Sequence, residues 1–227
     1  MTVLFPKWTN KLPAALALGA AATGLLVVFV VSFWFSPEHT DVGYQPYQPI
    51  PYSHKLHAGA LGMDCRYCHR MVEEGPHATI PDAATCYGCH EHVKRDSAAL
   101  EPLRAVCKDK PMKADGKPIE WVKVHLLPQY AYFNHAVHTR ANVGCASCHG
   151  RVDEMEIVRQ VEPLSMGWCI ECHRDPTSHI RPDGVAPTKM DWVPDAASIA
   201  AAKLRLEPSG DQMPALNPPT YCSACHR

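Results

Sequence analysis

A long apolar segment near the N-terminus is the strongest hydrophobic signal in the chain. Leu12 to Phe35 contains 24 residues without a charged side chain, preceded by Lys7 and Lys11 and by no acidic residue. As an α-helix the segment would be about 36 Å long, enough to cross the hydrocarbon core of a bilayer. Pro13 falls in the first turn, where its missing N–H costs little. The pattern predicts one transmembrane helix over residues 12–35.

A cleaved signal peptide would produce a similar hydrophobic profile. The apolar run is long for a signal peptide and no small-residue cleavage site follows it, so an uncleaved anchor is the better prediction. The lysines then place residues 1–11 in the cytoplasm and the rest of the chain outside a bacterial inner membrane, in the periplasm. Ala15 with Gly19 and Ala20 with Gly24 give small residues four apart, either for close approach of another helix or because such residues are common in membrane helices.

Hydrophobic periodicity is weak in the rest of the chain. Residues 36–53 carry four prolines, which favour an extended linker. Ala196 to Leu206 is a plausible helix inside a Pro-rich segment, whereas Trp121 to Leu126 alternates too imperfectly to fix a strand. We therefore predict short helices and much loop beyond the anchor.

Cysteine usage indicates what the chain binds. Ten of the eleven cysteines fall in five C-x-x-C-H motifs. This motif is the attachment signature of c-type haem, in which two thiols join the vinyl groups and the histidine binds the iron. Neither zinc sites nor disulfides would need a histidine after every pair, and thioredoxin-like motifs lie in a βαβ pattern that is absent here. The five predicted haem sites are Cys65-Cys68-His69, Cys86-Cys89-His90, Cys145-Cys148-His149, Cys169-Cys172-His173 and Cys222-Cys225-His226.

The length of the chain limits how these groups can be packed. The 227 residues carry a net charge of −1, which offers no case for nucleic acid binding. Beyond the anchor only about 38 residues remain for each haem, too few for an ordinary side-chain core. The predicted fold is a single N-terminal transmembrane helix plus a mostly α/irregular multihaem cytochrome c domain with a haem-dominated core. Its folding should depend on haem attachment.

An internal repeat organises the haem motifs. Residues 53–57 (SHKLH) match residues 134–138 (NHAVH), and the first motif cysteine follows the first histidine by 11 residues in one copy and 10 in the other. A second motif starts 21 or 24 residues after the first. We interpret this as two dihaem modules. The predicted divisions are 1–11 cytoplasmic, 12–35 anchor, 36–53 linker, 54–96 first module, 97–131 connector, 132–178 second module, and 179–227 with the fifth haem.

The repeated His-x-x-His segments supply the best candidates for distal iron ligands. In each pair, His54 with His57 and His135 with His138, the first histidine is assigned to the haem just downstream and the second to a neighbouring haem. The fifth distal ligand is His77 or His125, with His77 favoured, and the other could hydrogen-bond a haem propionate.

The remaining candidates are interpreted as structural. Met166 could ligate iron but is better explained as a packing residue. His39 suits the membrane interface, and His92 and His179 suit the surface. Because the chain has enough histidines to occupy both axial positions of every haem iron, the sequence predicts an electron carrier without a substrate site.

The motifs resemble those of class III multihaem cytochromes, and the whole chain resembles the membrane-anchored pentahaem cytochrome c subunit of bacterial alternative complex III. The matching stretches are residues 51–57 (PYSHKLH), 64–69 (DCRYCH), 132–138 (YFNHAVH), 144–153 (GCASCHGRVD), 163–169 (PLSMGWC) and 222–227 (CSACHR). The resemblance covers almost the full length and is weaker over residues 98–117 and 180–216. Cys107 has no place in the pattern and is interpreted as a structural thiol.

The resemblance implies a role in a membrane complex. Electrons would pass from quinol bound in polytopic subunits, through an iron–sulfur subunit and these haems, to a monohaem cytochrome c or a terminal oxidase. One alternative is a membrane-anchored quinol dehydrogenase that feeds a periplasmic reductase; such proteins share the single helix but differ in haem number and lack the duplicated His-x-x-His. A haem enzyme would instead need an open, high-spin iron.

Overall fold

The structure is a computed structural model that describes residues 5–107, 118–207 and 216–226. Parts of three predicted divisions therefore lie outside the described residues: 1–4 of the cytoplasmic segment, 108–117 of the connector, and 208–215 with Arg227 of the C-terminal segment. Contacts divide the chain into two units, Met1–Val42 and Gly43–Arg227.

Unit Met1–Val42 is dominated by one apolar helix. A 3-10 helix, Lys7–Lys11, leads into α1, Leu12–Trp34, none of whose side chains is buried. The mean hydropathy of its best window is 2.5, so α1 is long and apolar enough to cross a membrane. The predicted helix over residues 12–35 is thus confirmed as a helix that ends one residue earlier.

A short helix interrupts the predicted extended linker. Helix α2 covers Pro37–Thr40, so the prediction of extended chain is wrong at these residues. Proline is well tolerated in a first helical turn, and here the extended residue Ser36 precedes it and accepts a bond from the Thr40 hydroxyl at 3.2 Å. The His39 ring of α2 lies 4.1 Å from the Phe33 ring of α1.

Unit Gly43–Arg227 consists of short helices joined by loops. Among its described residues there is no strand, only isolated bridges between Ala131 and His226 and between Val143 and Ile180. Together with the apolar helix of the first unit, this confirms the predicted fold class. The helices are the π-helix Lys55–Ala60, α3 Cys65–Cys68, α4 Ala83–His90, the 3-10 helix Ala98–Leu100, α5 Glu101–Val106, α6 His135–Arg140, α7 Ala146–His149, the 3-10 helix Val152–Glu154, α8 Met166–Arg174, α9 Ala196–Leu206 and α10 Cys222–Cys225.

Helix α9 has the bounds predicted from the sequence. Asp195 accepts a hydrogen bond from the Ser198 amide at 2.7 Å, and the Asp195 amide donates to the Ser198 hydroxyl at 2.9 Å. This reciprocal capping box satisfies two polar groups at the helix start, which explains why the helix begins there.

The difference in spacing between the two repeats is absorbed by a π-helix. In the first copy the Leu61 amide donates to the Leu56 carbonyl, five residues back, whereas in the second the Ala141 amide donates to Val137, four residues back. A π turn holds one more residue than an α turn. It therefore accommodates the 11-residue spacing of the first repeat against the 10-residue spacing of the second.

The turn before each first cysteine is also repeated. Gly62 and Asn142 each lie three residues before that cysteine and adopt φ of 64° and 62°. Glycine and asparagine are the residues that accept this left-handed conformation most readily. The repeat therefore extends from the His-x-x-His segment to the attachment motif itself.

The two repeats pack on each other through equivalent contacts. The Lys55 amide donates to the Met155 carbonyl at 3.0 Å, and the Ala136 amide donates to the Gly75 carbonyl at 3.2 Å. Each donor follows the first histidine of its own pair, and each acceptor lies six residues beyond the motif histidine of the other repeat. The contact is close at Gly59, where a side chain would collide with the Asp153 carbonyl.

Side chains alone form a small core. The chain exposes 16184 Å², against roughly 10,000 Å² for a folded globular protein of 25.1 kDa. Helix α1, none of whose residues is buried, accounts for part of this excess. One buried cluster contains Ile50, Ala83, Leu103 and Cys107, with Cys86 of the second haem motif packed against it. Cys107 is thus 5% exposed within the core, consistent with a structural thiol.

We expect Leu103→Ala to lower the free energy of unfolding of the haem-loaded protein by about 2–5 kcal/mol, because Leu103 is 1% exposed in this cluster and its truncation leaves a cavity. Denaturant unfolding followed by far-UV circular dichroism measures the change. Leu204→Ala is the matched control, since Leu204 is 65% exposed. Equal losses in the two variants would contradict a core role for Leu103.

Candidate haem centres

The five motifs all lie on short helices. One helical turn places residues i and i+3 on the same face, so both thiols of a motif can meet one flat group. In three motifs the amide of the histidine donates to the carbonyl of the first cysteine at 2.9–3.0 Å, which closes this turn. None of the ten motif cysteines, all within the described residues, is in a disulfide.

Burial makes several of these thiols poor nucleophiles. It raises the pKa of Cys145 to about 11 and that of Cys148 to about 12, with neighbouring cysteines adding to the shift. Such thiols stay protonated at neutral pH, whereas redox-active cysteines have lowered pKa values. The environment of Cys145 and Cys148 therefore argues against a thioredoxin-like use of the third motif.

Four of the five motif histidines are oriented by the backbone. Each Nδ1 donates to a carbonyl oxygen: His69 to Thr79 at 2.6 Å, His90 to Val93 at 2.9 Å, His173 to Pro219 at 2.7 Å and His226 to Tyr130 at 3.2 Å. A bond of this kind fixes the tautomer and leaves the Nε2 lone pair for a metal. The side chains therefore have the chemistry that axial iron ligands require.

The His-x-x-His histidines follow the same rule. The Nδ1 of His57 donates to Ser53 O and that of His138 to Asn134 O, both at 2.8 Å, while His135 donates to Pro76 O at 2.7 Å. His54 differs, because its buried Nδ1 has no hydrogen-bond partner. Burial, followed by the nearby imidazoles of His69 and His57, lowers the pKa of His54 to about 4.

Two aromatic residues that the sequence analysis did not single out support these histidines. The Tyr52 ring stacks on His57 at 4.4 Å and meets the edge of His54 at 4.7 Å. The Phe133 ring does the same with His138 at 4.4 Å and His135 at 4.8 Å. The sequence signal that could have found them is an aromatic residue two positions before the first histidine of each pair.

The structure brings histidines from distant parts of the chain into pairs. The ring centroids are 6.1 Å apart for His57 and His90, 6.1 Å for His138 and His173, and 6.4 Å for His135 and His149. Two imidazoles on opposite sides of one metal ion have centroids about 6 Å apart, since each metal–nitrogen bond is about 2 Å long. The spacing of these three pairs fits a haem iron between the rings.

His125 occupies a different position, directly against a motif histidine. Its Nε2 lies 3.4 Å from His149 Nδ1, and the two rings meet edge to face at 4.4 Å. Burial, followed by His125 and His135, lowers the pKa of His149 to about 3, and burial also lowers the pKa of His125. Both rings are therefore neutral at physiological pH.

The first and third motifs open onto one cavity. It has a volume of about 150 Å³, is open to solvent, and has a mostly apolar wall. Its lining includes Cys65, Cys68 and His69 of the first motif, Cys145 and His149 of the third, and the distal candidate His54. Among the described residues no three His, Cys, Asp or Glu side chains converge as they would on a bare metal ion.

Arg181 was also missed by the sequence analysis. It is 1% exposed, its Nη2 donates to the Lys189 carbonyl at 2.8 Å, and its guanidinium lies 5.1 Å from the Trp192 ring centroid. A side chain on Gly144 would occupy the position of this guanidinium. Arg181 thus packs the segment immediately before the third motif.

The other candidates lie outside these pairs. His77 is exposed, next to Pro76, whose carbonyl orients His135. Met166 is 69% exposed at the start of α8. His92 is exposed, and His179 borders a cleft with Trp168 and Cys172.

No protein-family model matches this chain. A curated relative, "Menaquinone reductase, multiheme cytochrome c subunit" of Nitratidesulfovibrio vulgaris (strain Hildenborough), is 29% identical over 218 residues, which cover 93% of this chain and 92% of the relative. This similarity over nearly the full length supports a membrane-associated multihaem cytochrome with a role in electron transport. It does not point specifically to alternative complex III.

Proposed function

We propose that this chain is a pentahaem c-type cytochrome that carries electrons inside a membrane quinol:acceptor oxidoreductase of the alternative complex III kind. The similarity to a multihaem subunit of a quinone-linked enzyme supports the general role. The finer proposal adds five haems, electron entry from an iron–sulfur subunit, and exit to a monohaem cytochrome c or a terminal oxidase.

The observation that carries the proposal is that imidazole rings lie in pairs, with their centroids as far apart as those of two imidazoles that bind one metal ion. His57 with His90 and His138 with His173 would each hold one iron, at the second motif of each module. The equal distances of 6.1 Å in the two modules argue that the pairs are built for the same purpose. In this arrangement the second histidine of each His-x-x-His segment would bind the iron of the neighbouring haem.

The remaining ligands follow from the same geometry. His135 and His149 would hold the iron of the third haem, and by the repeat His54 would serve the haem of His69. His77, the fifth distal ligand favoured by the sequence, is assigned to the haem at His226 because the other four haems already have distal candidates. The proposal includes the division of the chain into two dihaem modules, a connector and a C-terminal segment, at residues 54–96, 132–178, 97–131 and 179–227.

These ligands favour electron transfer over catalysis. Bound haem iron would supply a one-electron redox couple, and the two histidines proposed for each iron would both bind it. No position is then left for a substrate. The chain's histidines would hold each iron, and burial lowers the pKa of His54 and His149, which keeps these two imidazoles in the neutral form that binds metal.

The proposed location follows from helix α1 and the lysines before it. A single-pass helix would anchor the chain in the bacterial inner membrane with residues 1–11 in the cytoplasm and the haems in the periplasm. Polytopic subunits would supply the quinol site, beside the iron–sulfur and monohaem cytochrome c subunits.

A second candidate function is favoured by the name of the relative. That protein is a subunit of a menaquinone reductase, so this chain could instead deliver electrons toward a quinone. The membrane-anchored quinol dehydrogenase is a related alternative, in which the chain itself binds quinol. Both alternatives keep the haem wire and differ in the direction of flow or in the location of the quinone site.

We expect the haem-loaded full chain, purified alone, to be reduced slowly when a menaquinol analogue is added, because the quinol site is proposed to lie in other subunits. The native complex, purified through a tag on this chain, should be reduced rapidly by the same quinol. Stopped-flow absorbance of the haems measures both rates. Rapid reduction of the isolated chain would overturn the proposal in favour of the quinol dehydrogenase, and catalytic quinone reduction by the complex with a reduced cytochrome would favour the reductase.

A further inference from the structure

The third haem motif differs from the others in how its histidine is oriented. The Nδ1 atoms of His69, His90, His173 and His226 each meet a backbone carbonyl. The Nδ1 of His149 instead faces a side chain, the Nε2 of His125, at 3.4 Å. The segment that carries His125 contains no haem motif, and the proposed function assigns it no role.

The direction of this contact follows from the chemistry of imidazole. If His149 binds iron through Nε2, as proposed above, its proton lies on Nδ1, so Nδ1–H is the donor. His125 must then be the acceptor, and because the rings meet edge to face at 4.4 Å, the N–H approaches the face of the His125 ring beside Nε2. From this geometry we infer that His125 is a positioning residue that sets the orientation and basicity of His149, and thereby the redox potential of the haem at Cys145-Cys148-His149. This inference rests on the proposed function.

The geometry separates His125 from the role of an iron ligand. His135 lies 6.4 Å from His149 with the ring planes 6° apart, the spacing of two imidazoles across one metal. The His125 ring is nearer, at 4.4 Å, and is turned by 86°. It also meets the Nδ1 side of His149, which is the side away from a metal bound at Nε2. One iron can use His135 or His125 opposite His149, and the distances favour His135.

A side-chain acceptor has consequences that a carbonyl does not. An acceptor on Nδ1–H raises the basicity of a metal-bound imidazole, which stabilises the oxidised iron and lowers its potential. A backbone carbonyl has this effect whichever amino acid carries it. At the third motif the effect depends on the side chain at position 125. The haem at His149 is therefore the one whose potential a single substitution outside the ligands should change.

The test compares His125→Leu with His125→Gln in the haem-loaded full chain. Leucine removes the acceptor, whereas the glutamine amide oxygen lies near the position of Nε2. We expect His125→Leu to raise the midpoint potential of one of the five haems and to leave every iron low-spin. His125→Gln should shift that potential less. Spectropotentiometric titration and EPR provide the measurements, and His92→Leu, at an exposed histidine, is the control.

Two outcomes would overturn the inference. A new high-spin iron in His125→Leu would identify His125 as an iron ligand. Unchanged potentials in both variants would show that His125 does not affect the potential of this haem. Failure of the proposed function has a different readout, since intact mass would then show fewer than five haems on the unmodified chain. If His125→Leu does not load haem at the third motif, His125→Asn takes its place, because the shorter asparagine amide does not reach the position of Nε2. The potential of His125→Gln must then lie between those of the unmodified protein and His125→Asn. An unchanged potential in His125→Asn would contradict the inference.

Discussion

Replacing both Cys145 and Cys148 by serine is expected to prevent unit Gly43–Arg227 from folding, rather than to remove one haem from an otherwise intact protein. The third motif shares a cavity with the first, and its cysteines lie near Cys65 on one side and Cys172 on the other. A haem attached there would contact both modules. Since side chains alone bury little surface, its loss should cost more than one local site.

The measurement is the yield and protease resistance of the exported protein, together with its haem content by intact mass. The matched control is Cys222→Ser with Cys225→Ser, which removes the motif at the end of the chain. That variant should lose one haem and keep the other four in a folded protein. If the two double variants behave alike, the central role of the third motif is contradicted.

Replacing His57 by alanine is expected to convert one haem from low-spin to high-spin while the other four stay unchanged. The same result is expected for His138→Ala, because each ring lies 6.1 Å from a motif histidine. His135→Ala should act in the same way at the haem of His149. Loss of one axial imidazole leaves an open coordination position and a weaker ligand field. EPR at low temperature reports the high-spin signal directly.

A second background locates the affected haem. In a chain that carries Cys86→Ser and Cys89→Ser, the haem at His90 is absent, so His57→Ala should add no high-spin signal. Tyr52→Phe is the control, since it keeps the ring that stacks on His57 and should leave the spin state unchanged. A high-spin signal that persists in the serine background would assign His57 to a different haem.

Local features of the chain were predicted well because local geometry encodes them. The spacing of two cysteines and a histidine corresponds to one helical turn, and all five motifs lie on such turns. The apolar segment at residues 12–35 and the helix at Ala196–Leu206 were also found, since each depends on a continuous stretch of sequence. Proline content misled at Pro37–Thr40, where a first-turn proline is compatible with a helix.

The repeat could be seen in the sequence, but its mechanical details could not. Counting residues gave spacings of 11 and 10 without showing that a π-helix absorbs the difference. The sequence contains Tyr52 and Phe133 at equivalent positions, but their stacking on the histidines depends on ring orientation, which the sequence does not show. The contacts between the repeats involve backbone amides, which carry no sequence signal.

By itself, the sequence indicated the chemistry of the chain: which cysteines and histidines are expected to attach haem, which segment is long and apolar enough to cross a membrane, and which two segments form a repeat. Only the tertiary structure decided which imidazoles face each other. His57 and His90, or His125 and His149, are separated by long irregular segments, and no periodicity links residues across such loops. Their pairing depends on how the repeats pack, and packing is a property of the folded chain.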